Sequence, residues 1–574
     1  MRLRSEKWFE VGTEPTAQHR AALRAMGHLP DAYAGKPIIG IANSWNDLNN
    51  CNLPHKHLVE AVKRGVIAAG GFPFEFHTIS TAADFMMPSD LLYRNLMAMD
   101  VEEMIRAYPV DGVVLLCECD KTCPAQLMAV ASANIPSLQL AAGHRSSGWF
   151  NGKRITYATD WWQLWDNFQA GKLTDAQWDY IEQNISCSLG GCAVMGTATT
   201  MKSISEILGM MLPGTSAIPA THAARTAAAE ATGRRIVEMV QEDLRPSHLM
   251  TDAAFGNAIM LLGAMGGSTN ALIHLTAIAG RLGIPLTLDT FADYLNRVPL
   301  LVDLQPSGQA NMDDFHHAGG VGAVIYELLP LLNGRCLTAT GQSINEVYSQ
   351  AQTKAPGIIG SLEHPVAQGP TLTILKGNLA PDGAVIKTSA CSPELTRHRG
   401  QAVVFRDYSD MLARIDQEGV VPNEDAVLVL QNSGPVGVPG MPEWGSLPIP
   451  RHLLEKGIRD MVRISDARMS GTGFGTVVLH VAPESAIGGP LALVEDGDEI
   501  ELDLSHNILT LCVSEEELSR RRAQWRPSAS AHHRGYPRLF IDHVLQAPEG
   551  CDFDFLRSPT DSLAPFIEPM VGKS

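Results

Sequence analysis

The sequence predicts an α/β chain, with an N-terminal layered α/β domain built on a mostly parallel sheet and a C-terminal β-barrel-like domain after it. Two patterns carry this expectation. The first two-thirds alternates short apolar runs with helical periodicity, the rhythm of βαβ units. Beyond residue 355 short β-branched runs separated by glycine turns take over, as in β-barrel-like domains. The 574 residues also exceed what one hydrophobic core organises. The division is expected near residue 370, giving domains over 1–370 and 371–574.

In order along the chain, Pro37-Ile-Ile-Gly-Ile-Ala42 reads as a strand. Leu58–Ala69 has helical spacing and stops at Gly70-Gly71. Val101–Ala107 reads as helix and Gly112-Val-Val-Leu-Leu116 as a buried parallel strand. Pro124 sits in the first turn of a helix running to Ala133. Helices are expected at Ala223–Gln241, Asn257–Leu282 and Ala323–Leu332. Gly357, Gly360, Pro365, Gly369 and Pro370 mark the boundary. Strands follow at Thr371–Leu375, Ala402–Phe405, Ala426–Leu430, Thr476–His480 and Glu499–Leu504, the last turning through Ser505-His506-Asn507 into Ile508–Cys512.

Composition narrows the function. Hydrophobic residues at 45% and charged residues at 18% are a globular balance, not a disordered or coiled-coil one. A net charge of −18 lacks the basic footprint of a nucleic-acid binder and is repelled by an anionic membrane surface. The apolar stretch Ala258–Gly280 is interrupted by Ser268, Thr269, Asn270 and His274, and is expected as a buried core helix rather than a membrane span. The start, MRLRSEKWFEVG, has no apolar signal region, and ten cysteines are too sparse for a disulfide scaffold. The expected compartment is the cytoplasm, where clustered thiols point to metal or catalysis.

The sharpest motif is Cys117-Glu-Cys-Asp-Lys-Thr-Cys123, at the handover from strand to helix. Ligands of open α/β sheets bind at the carboxyl ends of strands, and a helix N-terminus there stabilises anions. Cys119 and Asp120 pair a soft with a hard ligand, suited to iron–sulfur or zinc and to magnesium respectively. The same cysteines also suit small apolar filling at a buried strand end, which is the expectation for Cys117. Cys51, in Asn49-Asn-Cys-Asn-Leu-Pro-His55, and Cys192, in Ser188-Leu-Gly-Gly-Cys-Ala-Val-Met-Gly196, occupy similar loop-to-helix settings. Three thiolates leave one position of an iron–sulfur cluster open, as a Lewis acid requires. Structural zinc lacks its usual paired CxxC pattern here.

A second motif, Ile464-Ser-Asp-Ala-Arg-Met-Ser-Gly-Thr-Gly-Phe-Gly475, is a glycine-punctuated loop before a strand. It is either a plain turn or a means of exposing Ser470, which beside a divalent metal becomes an alkoxide base. His55 and His480 are expected to pack or hydrogen-bond rather than ligate.

Cys119-Asp-Lys-Thr122, Gly191-Cys192, Met195-Gly-Thr-Ala198, Gly266-Gly-Ser-Thr-Asn270, Gly377-Asn-Leu-Ala-Pro381, Ser465-Asp-Ala-Arg-Met-Ser-Gly-Thr472 and Gly488-Gly-Pro490 together resemble the dihydroxy-acid dehydratase / sugar-acid (aldonate) dehydratase family. The resemblance spans nearly the whole chain. Tyr93-Arg-Asn-Leu96 and Asp460–Val478 look most like the pentonate branch, the arabinonate and xylonate dehydratases. It implies that Cys51, Cys119 and Cys192 hold a [2Fe-2S] cluster, since relatives with the larger cluster usually lack a cysteine at position 51. It implies that Asp120, Lys121 and Glu443 surround Mg2+, with Lys121 carbamylated to serve as a ligand. It makes Ser470 the base and Thr472 a holder of the substrate carboxylate. Relatives place a glutamate metal ligand where this chain has Ala83. Asp84 beside it is expected either to take over that role or to be a loop acid, with water filling the position.

The implied reaction is removal of the C2 proton of a 2,3-dihydroxy acid by Ser470 and loss of the C3 hydroxyl, giving a 2-keto-3-deoxy acid. The expected substrate is a small sugar acid, and the expected assembly a homodimer or homotetramer without nucleic acid or membrane. Two other readings stand beside this: the dihydroxy-acid dehydratase of branched-chain amino acid synthesis, and a non-catalytic iron–sulfur protein of redox or regulatory function.

Overall fold

Continuous β-branched runs in the first third build the sheet that positions the site. The structure, a computed structural model, describes residues 3–528 and 530–572. Strands β1 (Ile38–Asn43), β2 (Phe72–His77), β3 (Gly112–Cys117) and β4 (Ser137–Ala141) form an all-parallel sheet in the order β2-β1-β3-β4. β1 and β3 are buried along their whole length, hence their unbroken apolar sequence. β2 and β4 carry no such signal. β2, Phe-Pro-Phe-Glu-Phe-His, lies at the edge, where Pro73 is tolerated. β4 contains Gln139, whose amide nitrogen donates to the Cys123 carbonyl at 3.0 Å. A small antiparallel hairpin, β5 (Gly148–Phe150) and β6 (Lys153–Ile155), follows.

The helices His55–Ala68 and Ala223–Glu242 pack on the sheet close to their expected limits. The helix Leu91–Ala107 starts earlier than the expected Val101. Its first turns bury Arg94 and Asn95, which break the apolar pattern because they bond the carbonyls of Gly550 and Cys551. The single helix expected over 257–282 is two, Asp252–Ala264 and Asn270–Arg281. Gly266 turns the chain at φ +58°, and a Cβ on Gly267 would stand 2.5 Å from Leu262. This break brings the N-terminus of the second helix to the site.

The expected barrel is a closed eight-stranded one: β7 (Thr373–Gly377), β8 (Ala380–Ile386), β9 (Arg397–Phe405), β10 (Val427–Leu430), β11 (Arg463–Ser465), β12 (Val477–Ala482), β13 (Glu499–Asp503) and β14 (Ile508–Leu511). The order around it is β10-β11-β12-β8-β7-β14-β13-β9. β9 through β12 pair in parallel, as do β14 and β7, and the remaining neighbours are antiparallel. Beyond the barrel the chain returns to the helices of the first layer. There the Arg281 guanidinium donates to both oxygens of Asp552, at 2.6 and 3.0 Å, with both side chains fully buried. Among the described residues no helix is long and apolar enough to cross a membrane.

Two helices meet through glycine. A Cβ on Gly233 would lie 2.1 Å from the Val62 carbonyl oxygen, and one on Gly65 would lie 2.0 Å from that of Glu230. An alanine gains up to about 1 kcal/mol of helix propensity, but overpacking against rigid backbone costs about 1–3 kcal/mol. Gly233→Ala is therefore expected to lower the thermal unfolding midpoint; a midpoint at or above the wild-type value would contradict this packing.

Candidate active site

The end of β3 delivers Cys119, Asp120 and Lys121 to the start of the helix Thr122–Ala133. Cys117 stays in the strand and is buried in the core, as expected, with the Cys123 thiol donating to its sulfur at 3.0 Å. The neighbouring Cys51 thiol, followed by burial, pushes the Cys119 thiol well above its ordinary pKa. Burial also raises Cys192, against the pull of the Arg145 guanidinium and with Cys51 and Asp120 adding to it. Arg145 Nη2 lies 3.8 Å from Cys51 Sγ, and Arg145 Nε donates to the Gly190 carbonyl at 3.1 Å. Cys51 is thus the thiol that acts on both Cys119 and Cys192, and Arg145 acts on Cys51 and Cys192.

Two buried devices hold the three loops in place. Asn52 Oδ1 accepts from the Cys119 amide at 3.0 Å, and Asn52 Nδ2 donates to Ser44 and Thr122. The loop of Cys51 is thereby tied to the end of β3. Glu118 pairs with Lys202 at 2.5 Å, both fully buried, and accepts from the Gly143 amide at 2.7 Å. A Cβ on Gly191 would lie 2.2 Å from Glu118 Oε1, so the loop of Cys192 reaches the strand end only with glycine there.

Lys121, 1% exposed, places its ammonium among three carboxylates: Asp90 at 3.2 Å, Asp120 at 3.5 Å and Glu443 at 3.2 Å. Burial alone would lower the Lys121 pKa, but Asp90 and Glu443 outweigh it and raise it. Burial lifts Asp120 to about 6, partly offset by Lys121. Glu443 falls to about 2, because Lys121 and Arg468 overcome the burial that would raise it. Asp120 Oδ1 also accepts from the amide of Ala198, in the first turn of the helix Thr197–Ile207. Glu443 Oε1 accepts from Arg468 at 2.8 Å and from Asn270 Nδ2 at 3.0 Å. The loop of Glu443 approaches through Gly440, where a Cβ would lie 2.7 Å from Leu92.

The loop of Ser470 closes over this cage. Asn270 Nδ2, already on Glu443, also donates to the Met469 carbonyl at 3.1 Å. A Cβ on Gly471 would stand 2.7 Å from the Thr197 amide. Ser470 is therefore flanked by residues fixed to Glu443 on one side and to the Asp120-binding helix on the other. Its hydroxyl lies 2.9 Å from Thr472 Oγ1, which also receives Trp162 Nε1 at 3.5 Å.

Asp84 sits apart from Lys121. It is exposed, accepts from the Tyr157 hydroxyl at 3.3 Å, and acts on Arg145 and Cys192 on the thiol side. His55 is buried, which lowers its pKa to about 4. His480, lowered by burial to about 3, lines a small pocket with Leu272, Thr276 and Val385. Asp90, Arg145, Arg468 and the Glu118–Lys202 pair were not singled out by sequence reasoning. Arg468 lies inside a quoted motif, but Asp90 has as its only signal a position at a helix start after Pro88-Ser89.

The donor set fits the implied groups. The residue before Asp120, Cys119, interacts with a second thiol, and the residue after it, Lys121, with three carboxylates, so soft and hard donors adjoin. The buried Asp90 Oδ2 has no hydrogen-bond partner among the described residues. Among the described residues no three Asp, Glu, His or Cys side chains already converge on one metal position. The carboxylates converge on the Lys121 ammonium instead, so a dication requires that charge to be removed. Lys202→Met, which strands Glu118 without a counter-charge, is expected to destabilise the fold by about 3–5 kcal/mol in chemical denaturation; unchanged stability would contradict the role given to this pair.

Residues 36–347 match the dihydroxy-acid/6-phosphogluconate dehydratase N-terminal family, and residues 357–551 match its C-terminal counterpart. The chain is 46% identical over 559 residues to the 6-deoxy-6-sulfo-D-gluconate dehydratase of Pseudomonas putida, covering 97% of this chain and 96% of the relative. It is 45% identical over 558 residues to the L-arabinonate dehydratase of Rhizobium leguminosarum bv. trifolii, with the same coverage. The D-xylonate dehydratase of Caulobacter vibrioides is 35% identical over 570 residues, 96% of each chain. With both halves matched and relatives aligned end to end, the chain belongs to the dihydroxy-acid/6-phosphogluconate dehydratase family of hydro-lyases.

Proposed function

We propose that the protein dehydrates a sugar acid, an aldonate of the pentonate class, to its 2-keto-3-deoxy acid. The observation that supports this reading is the adjacency made by three consecutive residues: Cys119 interacts with Cys51, which also acts on Cys192, while Lys121 pairs with Asp120 and with Glu443 beside the Ser470 loop. The relatives named for L-arabinonate and D-xylonate support the substrate class.

Cys51, Cys119 and Cys192 are the residues to hold a [2Fe-2S] cluster, and Asp120, Glu443 and a carbamylated Lys121 those to hold Mg2+. When bound, these groups supply Lewis acidity at the leaving hydroxyl and at the substrate carboxylate end. The protein's own residues do the rest. Thr472, held by Trp162, offers its hydroxyl to the substrate carboxylate. Ser470, ionised to its alkoxide, takes the C2 proton at Oγ. The C3–O bond breaks with its electron pair on the departing hydroxide, and the resulting enol tautomerises to the keto acid. The buried cage around Lys121 keeps bulk water away from the developing charge, where fixed dipoles act most strongly. Residues 1–370 contribute the thiols, Asp120 and Lys121, and residues 371–574 contribute Glu443 and Ser470. The reading includes a cytoplasmic homodimer or homotetramer.

A panel of pentonates, hexonates, 6-sulfo-hexonates and 2,3-dihydroxyisovalerate, assayed for keto-acid product, tests the substrate class. Turnover of pentonates is expected, with the branched dihydroxy acid at least tenfold slower; the reverse order would overturn it. Ser470→Ala, with iron content unchanged, is expected to lower kcat by about 10^2–10^4-fold, the range for a lost general base. Undiminished product formation would remove Ser470 from its role.

A further inference from the structure

Asp90 stands at the start of the helix Leu91–Ala107, in the N-cap position, yet its side chain makes no capping hydrogen bond. The Leu91 amide donates instead to Ser89 Oγ, at 3.2 Å. An aspartate in that position normally turns back to its own helix; this one turns away, with Oδ1 3.2 Å from Lys121 Nζ. The residue is 5% exposed, and among the described residues Oδ2 has no hydrogen-bond partner. A buried carboxylate oxygen left without a partner is costly, so its retention calls for a ligand.

The surroundings say which ligand. Asp90, Asp120 and Glu443 bring three carboxylates to a cage whose side-chain cations are Lys121 and Arg468. The oxygens already engaged are Asp120 Oδ1, on the Ala198 amide, Asp120 Oδ2 and Asp90 Oδ1, on Lys121, and Glu443 Oε1, on Lys121, Arg468 and Asn270. Asp90 Oδ2, on the carboxylate whose other oxygen meets Lys121, has no hydrogen-bond partner among the described residues. The residue is also held there from the barrel side. Arg468 spans from Glu443 to Ser89, donating to Ser89 Oγ at 2.9 Å, and the Gly440 turn lies against Leu92. Asp84, the nearer candidate in sequence for the missing acidic position, is exposed and bonded to Tyr157 on the thiol side.

We propose that Asp90 is a carboxylate ligand of the divalent cation, presenting Oδ2 to it, and that it supplies the charge absent at Ala83. The inference rests on the reading of this cage as a divalent-cation site. Hard dications favour carboxylate oxygen with water completing the shell. In this chain the third carboxylate comes from the start of the helix rather than from the loop before it. Once Lys121 is neutral, Asp90 loses its present counter-ion, and the cation takes that place.

Mn2+ binding to the anaerobically purified, cluster-loaded protein tests this, read from the loss of the free Mn2+ electron paramagnetic resonance signal and competed with Mg2+. Wild-type protein is expected to bind Mn2+. Asp90→Asn and Asp90→Ser are each expected to weaken binding by about tenfold or more, and Asp84→Asn by less than threefold. Circular dichroism and iron content qualify each variant as folded, and either Asp90 variant suffices. Wild-type affinity in a folded Asp90 variant would overturn the inference while leaving the cation site standing, as would a tenfold loss confined to Asp84→Asn. Absence of Mn2+ and Mg2+ binding by the wild-type protein would instead remove the cation site itself, and this inference with it.

Discussion

A lysine ammonium buried to 1% exposure holds the two halves of this protein in register. A buried cation is tolerable only where anions surround it, and breaking such a pair leaves an uncompensated charge. Lys121 meets that requirement by drawing Asp90 from a helix start, Asp120 from its own strand end and Glu443 from a loop of the barrel half. Arg468 repeats the arrangement from the barrel, bonding Glu443, Asn270 and Ser89. The floor of the site, its wall and the Ser470 loop above it are therefore parts of one electrostatic network. The same cage sets a chemical condition: three carboxylates around an ammonium become three carboxylates around a dication only when the lysine gives up its charge.

Close backbone approaches let the network form. The Cys192 loop reaches Glu118 through Gly191, the Glu443 loop reaches Leu92 through Gly440, and the Ser470 loop reaches Thr197 through Gly471. Each puts a catalytic candidate one or more residues from a contact that no side chain could occupy. On the sulfur side Asn52 and the Glu118–Lys202 pair do comparable work, fixing the residues around Cys119.

Much of this was legible in the sequence because it rests on local pattern. The apolar run Gly112–Leu116 ending in a cysteine–aspartate–lysine step marks both a buried parallel strand and the residues at its carboxyl end. The glycine turns after residue 355 mark the barrel. What escaped reading depends on partners remote in sequence. Arg94 and Asn95 look like a break in a helix until Gly550 and Cys551 arrive to accept their hydrogen bonds. Asn257–Leu282 reads as one apolar helix because its interruption is made by backbone geometry at Gly266. Asp90 looks like an ordinary helix cap, and only its failure to cap, visible in three dimensions, separates it from the many aspartates at helix starts.

The central claim is that sulfur and oxygen ligand sets on either side of Asp120 act together on one substrate. The most direct measurement is iron, acid-labile sulfide and keto-acid formation on a single anaerobic preparation, followed as the iron is removed by chelation and restored. The account requires about two iron atoms and two sulfides per chain, in line with a [2Fe-2S] centre, and activity that falls and returns in proportion to them. A colourless, iron-free preparation that dehydrates aldonates at the full rate would contradict it.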